Sequence, residues 1–136
     1  MEAGAKDAMF IIPTGVEADE QLSAKIDYLS FAFAGLSISG KADAADRYLT
    51  IARNLRGGLK KDYNRDNAGW SISWAHAWAG QWDEADQVVK SIDAAETRRG
   101  AQADVAIAHL WRGEREQYDA AMAKSMNRPI CRITTA

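Results

Sequence analysis

The sequence predicts an all-α protein made of three consecutive helix–turn–helix units, which amount to six helices. Three observations predict this fold class. Apolar residues recur at intervals of three or four, which is typical of half-buried helices. The only two prolines, Pro13 and Pro129, lie near the two ends of the chain, so no proline interrupts a helix between them. Three glycines, Gly40, Gly80 and Gly113, each precede a stretch in which apolar residues are spaced in a similar way.

The first unit is predicted to contain a long helix and a shorter one. The segment "TGVE" at 14–17 offers a capping box for the first helix, and Gly40 is predicted to end this helix. The second helix ends at the pair Gly57-Gly58. The apolar stripe of the first helix is Leu22, Ile26, Leu29, Phe33 and Leu36, and that of the second is Ala45, Tyr48, Leu49, Ala52 and Leu55.

The later units repeat the pattern of the first. Subtracting 40 maps the apolar positions behind Gly80 onto those behind Gly40, and Gly113 is followed by apolar positions at the same offsets. The turn glycines are 40 and then 33 residues apart, and we place the seven extra residues in "GGLKKDYNR", as a longer loop or an extra helical turn. Paired helices with this period indicate a helical solenoid. The predicted helices cover 16–39, 42–56, 67–79, 83–93, 98–112 and 115–126.

The middle unit, residues 69–92, resembles a tetratricopeptide repeat (TPR). The match lies in "AWAGQWDEADQVV", where the turn Gly80 is followed by the aromatic Trp82, two acidic residues and the small Ala85. The outer units match less well, because Ala42 and Arg115 stand where the aromatic residue belongs. The resemblance implies a TPR-like repeat domain over 14–126, preceded by an N-terminal cap segment at 1–13 and followed by a C-terminal tail at 127–136.

Four of the five tryptophans lie in "WSISWAHAWAGQW", residues 70–82. Helical positions four apart differ by only about 40° around the axis, so the first three tryptophans share one face. In the TPR family this face lines the concave groove where partners bind, whereas Trp82 at the turn packs between helices. Counterpart positions in the third unit extend the same face, whereas the first unit has Ser30, Ala34 and Ile38 at the corresponding places. We therefore expect the aromatic surface to belong to the second and third units. The predicted partner-binding residues are Trp70, Trp74, Trp78, Ile107 and Trp111.

Three interpretations of this face stay open at the level of sequence. It is a groove for an apolar or helical segment of another protein, the seam of a homodimer or larger homo-oligomer, or buried core. The first makes the protein a non-catalytic protein–protein interaction module. The second makes it a self-associating structural or regulatory subunit. The lysines, arginines and asparagines with which TPR domains grip a carboxylate are missing at the matching positions, so an acidic C-terminal tail is not the expected ligand.

Composition argues against several other functions. A net charge of −2 and a pI near 5.7 give no basic footprint for nucleic acid, and no apolar run is long enough to cross a membrane. The single cysteine, Cys131, cannot form an internal disulfide. The N-terminus lacks the basic start of a signal peptide, so we expect a cytoplasmic protein.

No catalytic residue, metal site or cofactor is predicted, and we expect the protein not to be an enzyme. His76 and His109, each four residues before a turn glycine, are interpreted as structural. Asp62, Asn64 and Asp66 resemble the start of a calcium-binding EF-hand loop, but the glycine and the final glutamate of that loop are missing. Asp66 is instead predicted to be the N-cap of the third helix.

Overall fold

The computed structural model describes residues 18–126, which form six α-helices and no strand. The predicted terminal segments at 1–13 and 127–136, the capping box at 14–17 and Cys131 lie outside the described residues. No helix in the described part is long and apolar enough to cross a membrane. The helices are α1 (Ala18–Ile38), α2 (Ala42–Gly57), α3 (Asp62–Trp78), α4 (Trp82–Lys90), α5 (Ala95–Trp111) and α6 (Arg115–Ser125). The all-α prediction is confirmed.

The six helices form three successive hairpins. The first helices of the hairpins, α1, α3 and α5, pack side by side, and each second helix packs mainly against the first helix of its own hairpin. Two groups of buried side chains fill the interior. One lies between α1, α2 and α3 around Ile26, Phe33 and Ile72, and the other between α3, α4 and α5 around Ala85, Ile92 and Ala101.

The three predicted turn glycines end the first helices. Gly40, Gly80 and Gly113 have φ of 79°, 76° and 75°, in the left-handed region that favours glycine. In each turn the N–H of the following residue reaches back five residues to a helix carbonyl, as in a Schellman motif. The bond from Gln81 to His76 is typical, at 2.9 Å between nitrogen and oxygen.

The predicted start of the third helix at residue 67 is wrong, because α3 begins at Asp62. Its first turn is capped by another helix. The Asp19 carboxylate of α1 accepts the backbone N–H of Lys60 at 3.1 Å and that of Lys61 at 2.8 Å. These bonds lower the pKa of Asp19 below its ordinary value of 3.8. A cap supplied from 41 residues away leaves no local signature in the sequence.

Asp66 is consequently not the N-cap of the third helix. It is a buried residue inside α3, and its carboxylate accepts the backbone N–H groups of Asp93 and Ala94, both at 3.0 Å, just ahead of α5. This contact explains why α5 begins at Ala95, three residues before the predicted start. Both linkers between hairpins are therefore held by an aspartate from the first helix of the preceding hairpin.

The seven extra residues of the first unit are helical, which agrees with one of the two predicted alternatives, but they lengthen α2 and so lie mostly ahead of "GGLKKDYNR". Helix α2 has 16 residues and its counterpart α4 has nine, a difference of 16 − 9 = 7. The linkers after them, 58–61 and 91–94, are equally long. The extra length adds about two turns to the second helix of the first hairpin.

Candidate functional site

The tryptophan row of α3 is half-buried. Trp74 and Trp78 pack against the first group of buried side chains and keep part of their surface exposed. On the opposite side of the same helix, Ile72, Ala75 and His76 are buried. The division of α3 into a packed face and a tryptophan face therefore agrees with its sequence pattern.

Four aromatic rings form a continuous series across the first helices, which we call the aromatic ladder. Phe31 of α1 meets Trp74 edge to face at 5.2 Å between ring centroids. Trp74 and Trp78 are 6.0 Å apart, and Trp78 lies 5.6 Å from Trp111 of α5. These separations fall within the range of favourable aromatic pairs. The ladder links all three hairpins on one face.

The ends of the aromatic ladder are the most exposed. Phe31 is 56% exposed and Trp111 is 74% exposed, which is high for large apolar side chains. Ile107, predicted from its register with Trp74, is 43% exposed on the same helix as Trp111. Large rings held in place by their neighbours and open to solvent at both ends are a feature of binding surfaces more than of cores.

Trp70 differs from Trp74 and Trp78 because its ring packs against the second group of buried side chains, not the first. Its indole N–H donates to an Asp104 oxygen at 2.6 Å, and its ring joins the second group of buried side chains. A Cβ atom built on Gly100 would lie 2.4 Å from Trp70 Cη2, so the ring requires glycine at that position. Trp70 therefore helps to join the second and third hairpins.

An open groove lies beside the aromatic ladder, where the first helices meet. We call it the α1–α3–α5 groove. It has a volume of about 390 Å³ and combines aromatic rings with polar side chains. Three of its residues, Phe31, Ser71 and Asp104, each lie nine positions before a turn glycine (40 − 31, 80 − 71 and 113 − 104). The groove is lined by Asp27, Phe31, Asn67, Trp70, Ser71, Trp74 and Asp104.

Sequence reasoning missed Phe31 and Asp27 as groove residues. It placed Ser30, Ala34 and Ile38 on this face of the first unit, but Ser30 and Ala34 are buried. The prediction that the aromatic surface belongs only to the second and third units is therefore wrong, because Phe31 extends it into the first. The signal that could have identified Phe31 is its place nine residues before the turn glycine, because the residue at that place in each of the three units lines the groove.

The polar side chains of the groove hold each other across helices. Ser71 Oγ donates to Asp27 Oδ1 at 2.6 Å, which links α3 to α1. The Trp70–Asp104 bond links α3 to α5. Among the described residues that line the groove there are two carboxylates and no lysine, arginine or histidine. The groove is therefore a negatively charged, aromatic surface.

The turn of the second hairpin is structural. The Trp82 ring stacks on that of His109, with centroids 3.7 Å apart and planes 17° from parallel. The guanidinium of Arg112 lies 5.7 Å from the Trp82 ring centroid and donates to the Trp78 carbonyl oxygen at 3.0 Å. Trp82 thus packs between helices, as its position at the turn predicts.

Each of the two histidines stabilises the turn that follows it through a side-chain hydrogen bond. His76 Nδ1 donates to Gln81 Oε1 at 2.7 Å, and His109 Nδ1 pairs with Glu114 Oε2 at 2.9 Å, each bond crossing a turn glycine. Arg53 donates to His76 Nε2, which requires the neutral imidazole. Burial lowers the pKa of His76 below 6.5, and the nearby Arg53 charge acts in the same direction against the bond to Gln81.

The residues that resemble the start of an EF-hand have separate partners. Asp62 pairs with Arg65, Asn64 donates to Asp19, and Asp66 accepts the backbone of the next linker. No group of three or more histidine, cysteine or acidic side chains in residues 18–126 could hold a metal ion. Comparisons of the chain with protein-family models, curated proteins and solved structures gave no match.

Proposed function

We propose that the protein is a non-catalytic interaction module with a TPR-like arrangement of its hairpins. Its ligand is an apolar or helical segment of another protein, bound along the exposed face of α1, α3 and α5. The observation that carries this proposal is the aromatic ladder, whose rings run across all three hairpins and are exposed at Phe31 and Trp111.

The energetics favour a binding surface. Exposed aromatic rings lose water contact when a partner covers them, and covering one ring stabilises a complex by about 2–3 kcal/mol. The ladder is also pre-organised, because Trp74 and Trp78 are anchored in the core beneath it. A partner therefore orders few side chains on binding, which preserves affinity.

Peptide selection from a random display library on the purified protein tests this proposal. We expect helical peptides with an apolar face to be enriched. Phe31→Ala should weaken their binding by about tenfold or more, as loss of an aromatic hot spot does. Tyr28→Ala is the matched control, because Tyr28 is 64% exposed on the same helix and does not line the groove. Failure to enrich any peptide, or equal loss in both variants, would contradict the proposal.

A second copy of the chain is the alternative partner. A self-complementary contact would bury a large apolar surface on each copy, because Trp111 is 74% exposed and Ile38 is 64% exposed. Light scattering over a concentration series separates the two cases. A dimer that Trp111→Ala dissociates, and that Leu110→Ala leaves intact, would assign the face to self-association.

A further inference from the structure

We infer that the α1–α3–α5 groove accepts the side chain of a lysine or arginine from the bound segment. This inference rests on the proposed function and specifies the chemistry of its ligand. The ligand is then a peptide segment with an apolar face and one basic residue at the point where it crosses the groove.

Charge complementarity is the first support. Asp27 and Asp104 contribute carboxylates from opposite sides of the groove, on α1 and α5. Each uses one oxygen in the bonds from Ser71 and Trp70, at 2.6 Å in both cases. The second oxygen of each carboxylate, Asp27 Oδ2 or Asp104 Oδ1, takes no part in these two bonds. A basic side chain in the groove would supply donors to either of these carboxylates.

The aromatic lining is the second support. The rings of Phe31, Trp70 and Trp74 border the same groove, and a cation near an aromatic face gains electrostatic attraction. The methylene stem of lysine or arginine can lie along the rings while its charged end pairs with a carboxylate. One side-chain class therefore satisfies both kinds of lining.

The other ligand classes fit less well. An apolar side chain would take the two carboxylates out of water without replacing their hydrogen bonds, which is unfavourable. An acidic side chain would be repelled by both of them. The bonds from Ser71 and Trp70 already hold the carboxylates in place, so binding a cation orders few further groups.

The test uses the indole N–H groups of the tryptophans as reporters of probe binding. We would titrate the ¹⁵N-labelled protein with N-acetyl-arginine methylamide, its lysine counterpart and the neutral isostere N-acetyl-citrulline methylamide, and follow the tryptophan indole N–H signals. The arginine and lysine probes should shift the signals of Trp70 and Trp74 saturably and leave that of Trp82 in place. The citrulline probe should bind about tenfold more weakly, because it lacks the charge.

Two isosteric variants test the carboxylates. Asp27→Asn and Asp104→Asn keep an oxygen that can accept the existing hydrogen bond and remove only the charge. Each should weaken binding of the arginine probe, and the double variant should abolish its preference over citrulline. Asp43→Asn, an exposed change in the first turn of α2, is the control and should leave binding unchanged. Binding should also weaken as salt is added.

The outcomes separate this inference from the proposed function. If selected peptides bind through Phe31 but arginine and citrulline probes bind equally, the groove is not a cation site and the interaction module stands. If no peptide binds, the proposed function is wrong, whatever the probes do. Shifts of Trp70 and Trp74 that persist in the Asp27/Asp104 double variant would also overturn the inference.

Discussion

Two glycine-to-alanine substitutions, Gly100→Ala and Gly35→Ala, test how the second and third hairpins are joined. In a helix interior alanine is more favourable than glycine by about 0.5–1 kcal/mol. At Gly35 the new Cβ would meet nothing within 4 Å, so Gly35→Ala should raise the free energy of unfolding by that amount. At Gly100 the Cβ would lie 2.4, 2.7 and 3.0 Å from three carbons of the Trp70 ring.

Atoms cannot remain at these separations, so the Trp70 ring must move. Its movement disturbs the contact with the second group of buried side chains and the 2.6 Å bond to Asp104. Overpacking of this kind costs about 1–3 kcal/mol, which outweighs the helix gain. Gly100→Ala should therefore lower the free energy of unfolding by about 1–2 kcal/mol net.

Urea denaturation of both variants, followed by circular dichroism, provides the measurement. The indole N–H signal of Trp70 should shift in Gly100→Ala and stay in place in Gly35→Ala. Equal stabilisation by the two substitutions would refute the packing of Trp70 on α5.

Three further predictions concern the pH dependence, the linker and the second hairpin. The pKa of His76 is lowered in the folded state, so the contribution of this group to the free energy of unfolding should be constant above about pH 6.5 and should decrease as the pH drops toward the folded-state pKa. Urea denaturation at several pH values should show that the stability of His76→Gln decreases less over this range than that of the unmodified protein. Asp66→Ala should cost about 1–2 kcal/mol by the same assay, since two backbone N–H groups lose their acceptor, whereas the exposed Asp43→Ala should change stability by less than about 0.5 kcal/mol. Ala85→Leu should cost about 1–3 kcal/mol because Ala85 is fully buried, and a thermal melt should show Ala44→Leu, at an exposed position, to be nearly neutral.

Local patterns were sufficient to predict the helices and their turns. The left-handed glycine and the apolar stripe are properties of a few neighbouring residues, so Gly40, Gly80 and Gly113 could be read directly. The starts of α3 and α5 could not, because their caps, Asp19 and Asp66, come from another helix. The sequence pattern around Asp66 is equally compatible with a local cap, which is why that prediction was wrong.

The candidate site was predictable only in part, for a related reason. Helical periodicity places Trp70, Trp74 and Trp78 on one face of a helix. Which residues of α1 and α5 meet that face depends on how each helix is rotated about its axis in the packed structure. Ser30 was predicted to lie on this face but is buried, whereas the next residue, Phe31, lines the groove. Neighbouring helical residues differ by about 100° around the axis, so a rotation of the helix by that angle exchanges one for the other.

The two linker-capping aspartates show how hairpins of unequal length can share one design. Asp19 lies 40 − 19 = 21 residues before its turn glycine and Asp66 lies 80 − 66 = 14 before its own. The difference of seven equals the difference in length between α2 and α4. Seven residues make nearly two full helical turns. An aspartate seven positions earlier on its helix therefore lies on the same face and remains level with the linker that follows the longer second helix. A protein engineer could therefore lengthen or shorten a hairpin in steps of seven residues, provided that the aspartate is moved by the same number of positions.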